Sequence, residues 1–359
     1  MATNSNILSF TYDGSPVFYT LNTVLGVQHN ETSATTASTL AEYTLGKDIS
    51  PLISMRRLLD NMGAKGHITS ISAIPTVSAS SDMSMMFAFN ESLSAIDITS
   101  LEIVSSGVTD MSQLFQDDKS ITSLDLHTLC TSAVTNMNSM FSFCKSLSSI
   151  TGNVHYEDKT ITASPIDITY IDMRNVSNAN YMYAACDNLP TFDHRYDNTM
   201  TGLTSIKGMF YHSGFESIYF PEDDSIQYLK KVKSYYNVFN KCTNLKNLIF
   251  RGVGTNESAL TLYMGDCTGL TDASIIDLCD HSYDRTSYAS AFTITFSERK
   301  DLENLPADLN TSLCNLLDKK YIVYFGHKLF SKTADYSQYS GENVTIKYTV
   351  VKDKIVTNP

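Results

Sequence analysis

Between Met83 and Leu270 the apolar residues fall in recurring blocks. Met83-Ser84-Met85-Met86-Phe87 is followed by Asn90, Leu93, Ile96 and Ile98. The same order returns as Met111, Leu114-Phe115, Asp118, Ile121, Leu124 and Leu126, and again as Met137, Met140-Phe141, Cys144, Leu147 and Ile150. Later copies are Met182-Tyr183 with Cys186, Leu189 and Phe192; Met209-Phe210 with Ser213, Phe215 and Ile218; and Val238-Phe239 with Cys242, Leu245, Leu248 and Phe250. A seventh, Tyr263-Met264 with Cys267 and Leu270, is degenerate. The anchors at 86, 114, 140, 182, 209, 238 and 263 are separated by 28, 26, 42, 27, 29 and 25 residues.

A period of about 20 to 29 residues with L-x-x-L-x-L-like spacing is the signature of leucine-rich repeats. The expected fold class is therefore an α/β repeat: a leucine-rich-repeat solenoid of about seven irregular coils. No coil can bury its apolar face alone, so the Met-Phe pairs form one wall and the short strand segments the other, stacked on their neighbours. The column Asn90, Asp118, Cys144, Cys186, Ser213, Cys242, Cys267 holds small residues at a turn, which accounts for four cysteines as packing. The wide interval contains Asn153 to Thr160, polar and strand-prone, and reads as a hairpin-like insertion over about 151–171. Such insertions lie on one side of a repeat array, as a binding element or as a neutral decoration.

The flanks differ. Residues 1–75 lack the anchor pair; Ile7 to Tyr12 reads as a strand, Asp13-Gly14-Ser15-Pro16 as a turn, and Ser50-Pro51 through Gly63 as a capped amphipathic helix. This stretch is expected to be a small β-rich attachment module. Beyond the repeats (76–270), residues 271–359 form an α/β cap and C-terminal arm: a helix capped by Thr271-Asp272, a strand at Phe292–Phe296, a helix around Pro306–Leu317, a strand at Tyr321–Phe325, and strand-like Val344–Val350.

Composition narrows the function. The chain has 359 residues, with 26 Lys and Arg against 38 Asp and Glu and a net charge of −12, the wrong sign for gripping a phosphate backbone, so nucleic acid is not an expected partner. The first residues lack a basic start and apolar run, and no stretch is long enough to span a bilayer, so neither export by a signal nor membrane insertion is expected. Seven cysteines without a C-x-x-C pair read as reduced, buried thiols. Most of the 14 methionines are placed by the repeat, as core filler beside aromatics.

The pattern M-x-x-M-F-x-x-C-x-x-L-x-x-I, most complete at Met137 to Ile150, resembles the BspA-like leucine-rich-repeat surface proteins. The segment from Leu270 through Leu305 to Val323 looks like the closing segment of such arrays in phage tail and other virion proteins, with Tyr321 where the common pattern has a tryptophan. The resemblance implies a bacteriophage structural protein, a tail or head fibre or receptor-contacting appendage, assembled in the host cytoplasm and located in the virion. Its partners would be other virion proteins through the N-terminal module and a host-surface glycan or protein, with homo-oligomerisation, most simply as a trimer. A cell-surface adhesin of a bacterium or protist and a purely structural capsid or tail decoration are the alternatives.

The side chains that alternate with the inward ones along each strand form two outward columns. One runs Asp97, Asp125, Thr151, Asp193, Tyr219, Ile249; the other runs Thr99, His127, Asn153, Arg195, Pro221, Arg251. Ligand contact is expected there, at Asp97, Asp125, His127, Asp193, Tyr219 and Arg251, against the alternative of a merely solvated sheet face. No catalytic, cofactor or metal site is expected: calcium-loop spacing is absent, Asp193-His194 and Asp280-His281 lack a nucleophile motif, and no phosphate-binding glycine loop occurs.

Overall fold

The computed structural model describes residues 7–12, 15–20, 68–73, 82–98, 107–126, 128–151, 155–156, 159–160, 171–195, 200–223, 228–300, 302, 304–332 and 348–352. The expected helix at 50–63 lies outside them, as do the stretch 344–347 and His127. Among the described residues the chain is mixed α/β, with few helices, several small parallel sheets and no closed barrel.

Strands β1 (Ile7–Tyr12) and β2 (Ser15–Thr20) form an antiparallel hairpin. Strand β3 (Ile68–Ala73) pairs antiparallel with β1 and parallel with β4 (Ala95–Ile96), the strand of the first repeat. The N-terminal strands thus share a sheet with the repeats. Next come β5 (Ser123–Asp125) and β6 (Ser149–Thr151), paired in parallel, and the antiparallel pair β7 (His155–Tyr156) and β8 (Lys159–Thr160) within the wide interval. Strands β9 (Thr191–Asp193), β10 (Ser217–Tyr219) and β11 (Asn247–Ile249) follow as one parallel sheet.

The anchor segments are built from consecutive turns. In the first repeat the N–H groups of Met86 and Ala88 donate to the carbonyls of Met83 and Met85, closing tight turns, while those of Met83, Met85, Phe87 and Phe89 donate to the carbonyls of Asp110, Ser112, Leu114 and Gln116 in the second repeat. Alternate N–H groups are thus satisfied within and between repeats, leaving this wall's donors paired although it is not a strand. The geometry needs a left-handed residue every fourth position: Met85 and Phe89, Gln113 and Asp117, Ser139 and Phe143, Tyr181 and Ala185, Gly208 and His212, Asn237 and Lys241. Just before each of the first four anchor segments, an Asp or Asn side chain accepts an N–H two residues on, as Asp82 does from Ser84 and Asp110 from Ser112, both at 2.8 Å, and starts the first turn. Isolated parallel bridges run through the same residues, Asp82 to Asp110, Asn136, Asn178 and Ser205.

This ladder crosses the wide interval without a break: Met137 N–H donates to Asn178 and Phe141 N–H to Met182. The opposite wall is interrupted there, because β6 and β9 belong to different sheets. The wide interval opens after Thr151, at the end of β6, and apart from β7 and β8 the described residues resume at Ile171.

Inside, Phe87, Phe115, Phe141, Tyr183, Phe210 and Phe239 form one column, with successive centroids 5.4 to 5.9 Å apart and planes within 12° of parallel. Phe192, Phe220 and Phe250, from the strand wall, meet this column edge-on. The small-residue column lies beside the rings and is more than filler. The thiols of Cys144, Cys186, Cys242 and Cys267 donate to the carbonyls of Phe115, Phe141, Phe210 and Phe239, at 2.9 to 3.5 Å. Burial pushes these thiols above their ordinary range, Cys242 to about 11, so they remain protonated donors.

The seventh copy departs from the expected coil. Its anchor is strand β12 (Thr261–Met264), which pairs with β13 (Phe292–Phe296) and opens a sheet ordered β12-β13-β14-β15-β16, completed by β14 (Tyr321–Phe325), β15 (Lys328–Lys332) and β16 (Tyr348–Lys352). The first three strands are parallel, the last two antiparallel to their neighbours. Helix α1 (Asp272–Asp280), capped by Thr271 as expected, docks beside β11: the Leu248 N–H donates to the Ser274 hydroxyl and the Thr271 N–H to the Lys246 carbonyl. Helix α2 (Ala307–Asp318) packs on α1 and β14. Buried Tyr321 joins the sheet to the last repeat, its hydroxyl placed 2.6 Å from the Val253 carbonyl and 2.9 Å from that of Tyr283.

Candidate functional site

The strand wall carries the residues singled out from the sequence. Asp97 and Asp125 are exposed at the ends of β4 and β5, in successive repeats. Asp193 is only 7% exposed and is held by Arg195, whose Nη2 lies 2.6 Å from its Oδ2 and whose Nε also donates to it. The Arg195 guanidinium sits 4.6 Å from the Tyr219 ring centroid, so Asp193, Arg195 and Tyr219 form one closed cluster across β9 and β10. Arg251 turns toward the cap: its Nη2 lies 2.6 Å from Asp277 Oδ1 on α1, and its Nη1 donates to the Glu222 carbonyl. His281, one turn below Asp277, brings Nδ1 to 3.4 Å of the same carboxylate oxygen. The structure therefore joins Asp193 to Tyr219, places Arg251 in a repeat-to-cap ion pair, and leaves Asp97 and Asp125 apart from both. Among the described residues no group of three or more His, Cys, Asp and Glu side chains converges as a metal site, and no helix is long and apolar enough to cross a membrane.

The turn wall carries a second set, which the strand-face reading did not include. Tyr236 is 57% exposed, Tyr263 44% and Phe143 43%, although the repeat buries nearly all other large apolar side chains. The Lys207 ammonium lies 5.8 Å from the Tyr181 ring centroid and 5.0 Å from that of Tyr236, bridging three successive repeats, and the Lys241 ammonium lies 5.6 Å from Tyr211. Tyr181 lies across Gly208, where an added Cβ would fall 2.2 Å from its Cε1. His212 faces Asp187 at 3.8 Å, and Asp266 accepts the Lys241 N–H. The signal was present in the chain: the positions of Lys207, Tyr211 and Tyr236 are Ser112 or Asn138 and Gln116 or Ser142 in earlier repeats. Once each repeat is aligned on its ring, these outward columns can be read directly.

A comparison with protein families finds a match to the family described as "Mycoplasma protein of unknown function, DUF285", over residues 53–164 and 81–217. No curated protein and no solved structure matches the chain.

Proposed function

We propose that the protein is a non-enzymatic adhesion protein of a bacteriophage particle, a tail or head fibre component whose leucine-rich-repeat solenoid touches the host surface. The supporting observation is the six-ring column flanked by a continuous hydrogen-bond ladder. Each repeat spends its apolar residues inward on the same frame, and the outward residues change from one repeat to the next. A frame of that kind has its surface available for recognition. The N-terminal strands, continuous with β4, would transmit attachment from the particle, and several copies, most simply three, would turn weak contacts into avidity.

A second reading, a cell-surface adhesin of a bacterium, is favoured by the description of the matching family as a Mycoplasma protein. Antibodies against the repeats separate the two: labelling of purified particles with unlabelled uninfected cells supports the virion reading, and the reverse supports the cellular one. Fluorescent full-length chain should bind intact host cells. Particles labelled by antibody without any cell binding would instead indicate a capsid or tail decoration.

A further inference from the structure

We propose that the turn wall of the fourth to sixth repeats, from Tyr181 to Lys241, binds an extended polysaccharide bearing carboxylates; this names the ligand class within the adhesion reading and rests on it.

The repeats supply their own control. The second and third repeats make the same turns and ladders with Ser112, Gln113, Gln116, Asn138, Ser139 and Ser142, so aromatic and cationic side chains are not needed at these positions, although Phe143 stands exposed beside them. Tyr181 sits at φ 53°, a left-handed conformation that favours Gly or Asn, where the second and third repeats hold Gln113 and Ser139.

Charge points the same way. The other repeat cations are largely neutralised: Lys119 by Glu91, Arg174 by Asp172, Arg195 by Asp193, Lys246 by Glu216, Arg251 by Asp277. The ammonium groups of Lys207 and Lys241 rest on tyrosine faces with no carboxylate oxygen within 4 Å of either Nζ among the described residues, although Asp266 holds the Lys241 backbone N–H. Exposed Lys230, Lys231 and Lys233 lead into Tyr236 and are likewise unpaired among the described residues. The wall thus offers ammonium groups to an anion and ring faces to an apolar surface, which are the two faces of an acidic sugar.

Spacing and total charge select among polyanions. Tyr181, Lys207 and Tyr236 come from successive repeats, whose backbones pair at about 4.8 Å, so the wall offers a ring or an ammonium group at each step. An extended peptide presents same-face side chains roughly every 6.7 Å and would lose register within a few repeats. A chain of sugar rings, each about as long as one repeat step, keeps it. The net charge of −12 repels duplex nucleic acid, with one charge per about 1.7 Å of its length, more than a glycan with no more than one carboxylate per sugar.

The test uses the full chain on immobilised polygalacturonate, with dextran, teichoic acid and oligo-dT as comparison surfaces, and labels host cells in parallel. Polygalacturonate should bind best, and binding should weaken with salt. Y236A, K207Q and K241Q should each lower affinity about tenfold or more with unchanged melting temperature, because these side chains are exposed, while D97A/D125A on the strand wall should bind as wild type. No polygalacturonate binding, equal binding by the turn-wall variants, or preference for teichoic acid or oligo-dT would overturn the assignment. Cell labelling that survives in Y236A and K207Q overturns it too and leaves the adhesion reading standing. Polygalacturonate binding lost in those variants, without any cell labelling, supports the wall and removes the adhesion reading.

Discussion

Asp118 stands where Cys144, Cys186, Cys242 and Cys267 stand in other repeats, and it is fully buried. Its Oδ1 accepts the Asn90 N–H at 2.8 Å, while Oδ2 has no hydrogen-bond partner among the described residues. Burial raises its pKa well above the carboxylate range, with neighbouring Asp117 adding to the shift. The column prefers a neutral donor, as the thiols show, so the native state holds the protonated acid more tightly than the unfolded chain does. Stability from this group is therefore greatest below the unfolded pKa and is lost as pH rises through the higher folded value. Asp118→Asn supplies a permanently neutral group. It should stabilise the protein by about 1–3 kcal/mol at pH 7, the cost of one unsatisfied buried polar atom, with the gain vanishing near pH 4. Urea titrations at the two pH values read this directly.

Repeats are held to one another by the ring column and the turn ladder, so damage to either should spread beyond one repeat. Phe141→Ala removes a fully buried ring lying between Phe115 and Tyr183 and should cost about 3–5 kcal/mol. Gly214 approaches its neighbour so closely that an added Cβ would fall 1.8 Å from the Asp187 carbonyl oxygen, and its N–H donates to the Cys186 carbonyl. Gly214→Ala must push the fourth and fifth repeats apart. It should cost more than Gly107→Ala, whose Cβ meets nothing within 4 Å, and thermal melting of the pair checks the order. The anchor period, the ring residues and the small column were all legible in the sequence because they recur. The turns themselves were not. A left-handed residue every fourth position can be Met, Gln, Ser, Tyr, Gly or Asn, and this conformation leaves no compositional mark when interrepeat hydrogen bonds enforce it.

The whole chain depends on how the array is closed. At the C-terminal end, Tyr321, the Arg251–Asp277 pair and the Ser274 hydroxyl tie the cap to the last repeats. Tyr321→Phe removes the hydroxyl beside two buried carbonyls and should destabilise by about 1–3 kcal/mol. Hydrogen exchange should quicken first in β12–β14 and α1, while amides of the first three repeats hold their protection; uniform loss throughout would mean the cap and repeats unfold as one unit.

Arg251 illustrates the division between chain and fold. Its column on the strand wall follows from a two-residue alternation, but its direction is set by Asp277, a residue 26 positions later on a helix that replaces the next strand. The repeating order of apolar residues was enough to specify the stacked frame, since every copy must bury the same face and the only partner available is its neighbour. Which outward side chains stay available was settled by contacts between copies and with the cap, where an opposite charge pairs Asp193 and Arg251, while the Lys207 and Lys241 ammonium groups, with no carboxylate in reach among the described residues, lie on their tyrosines.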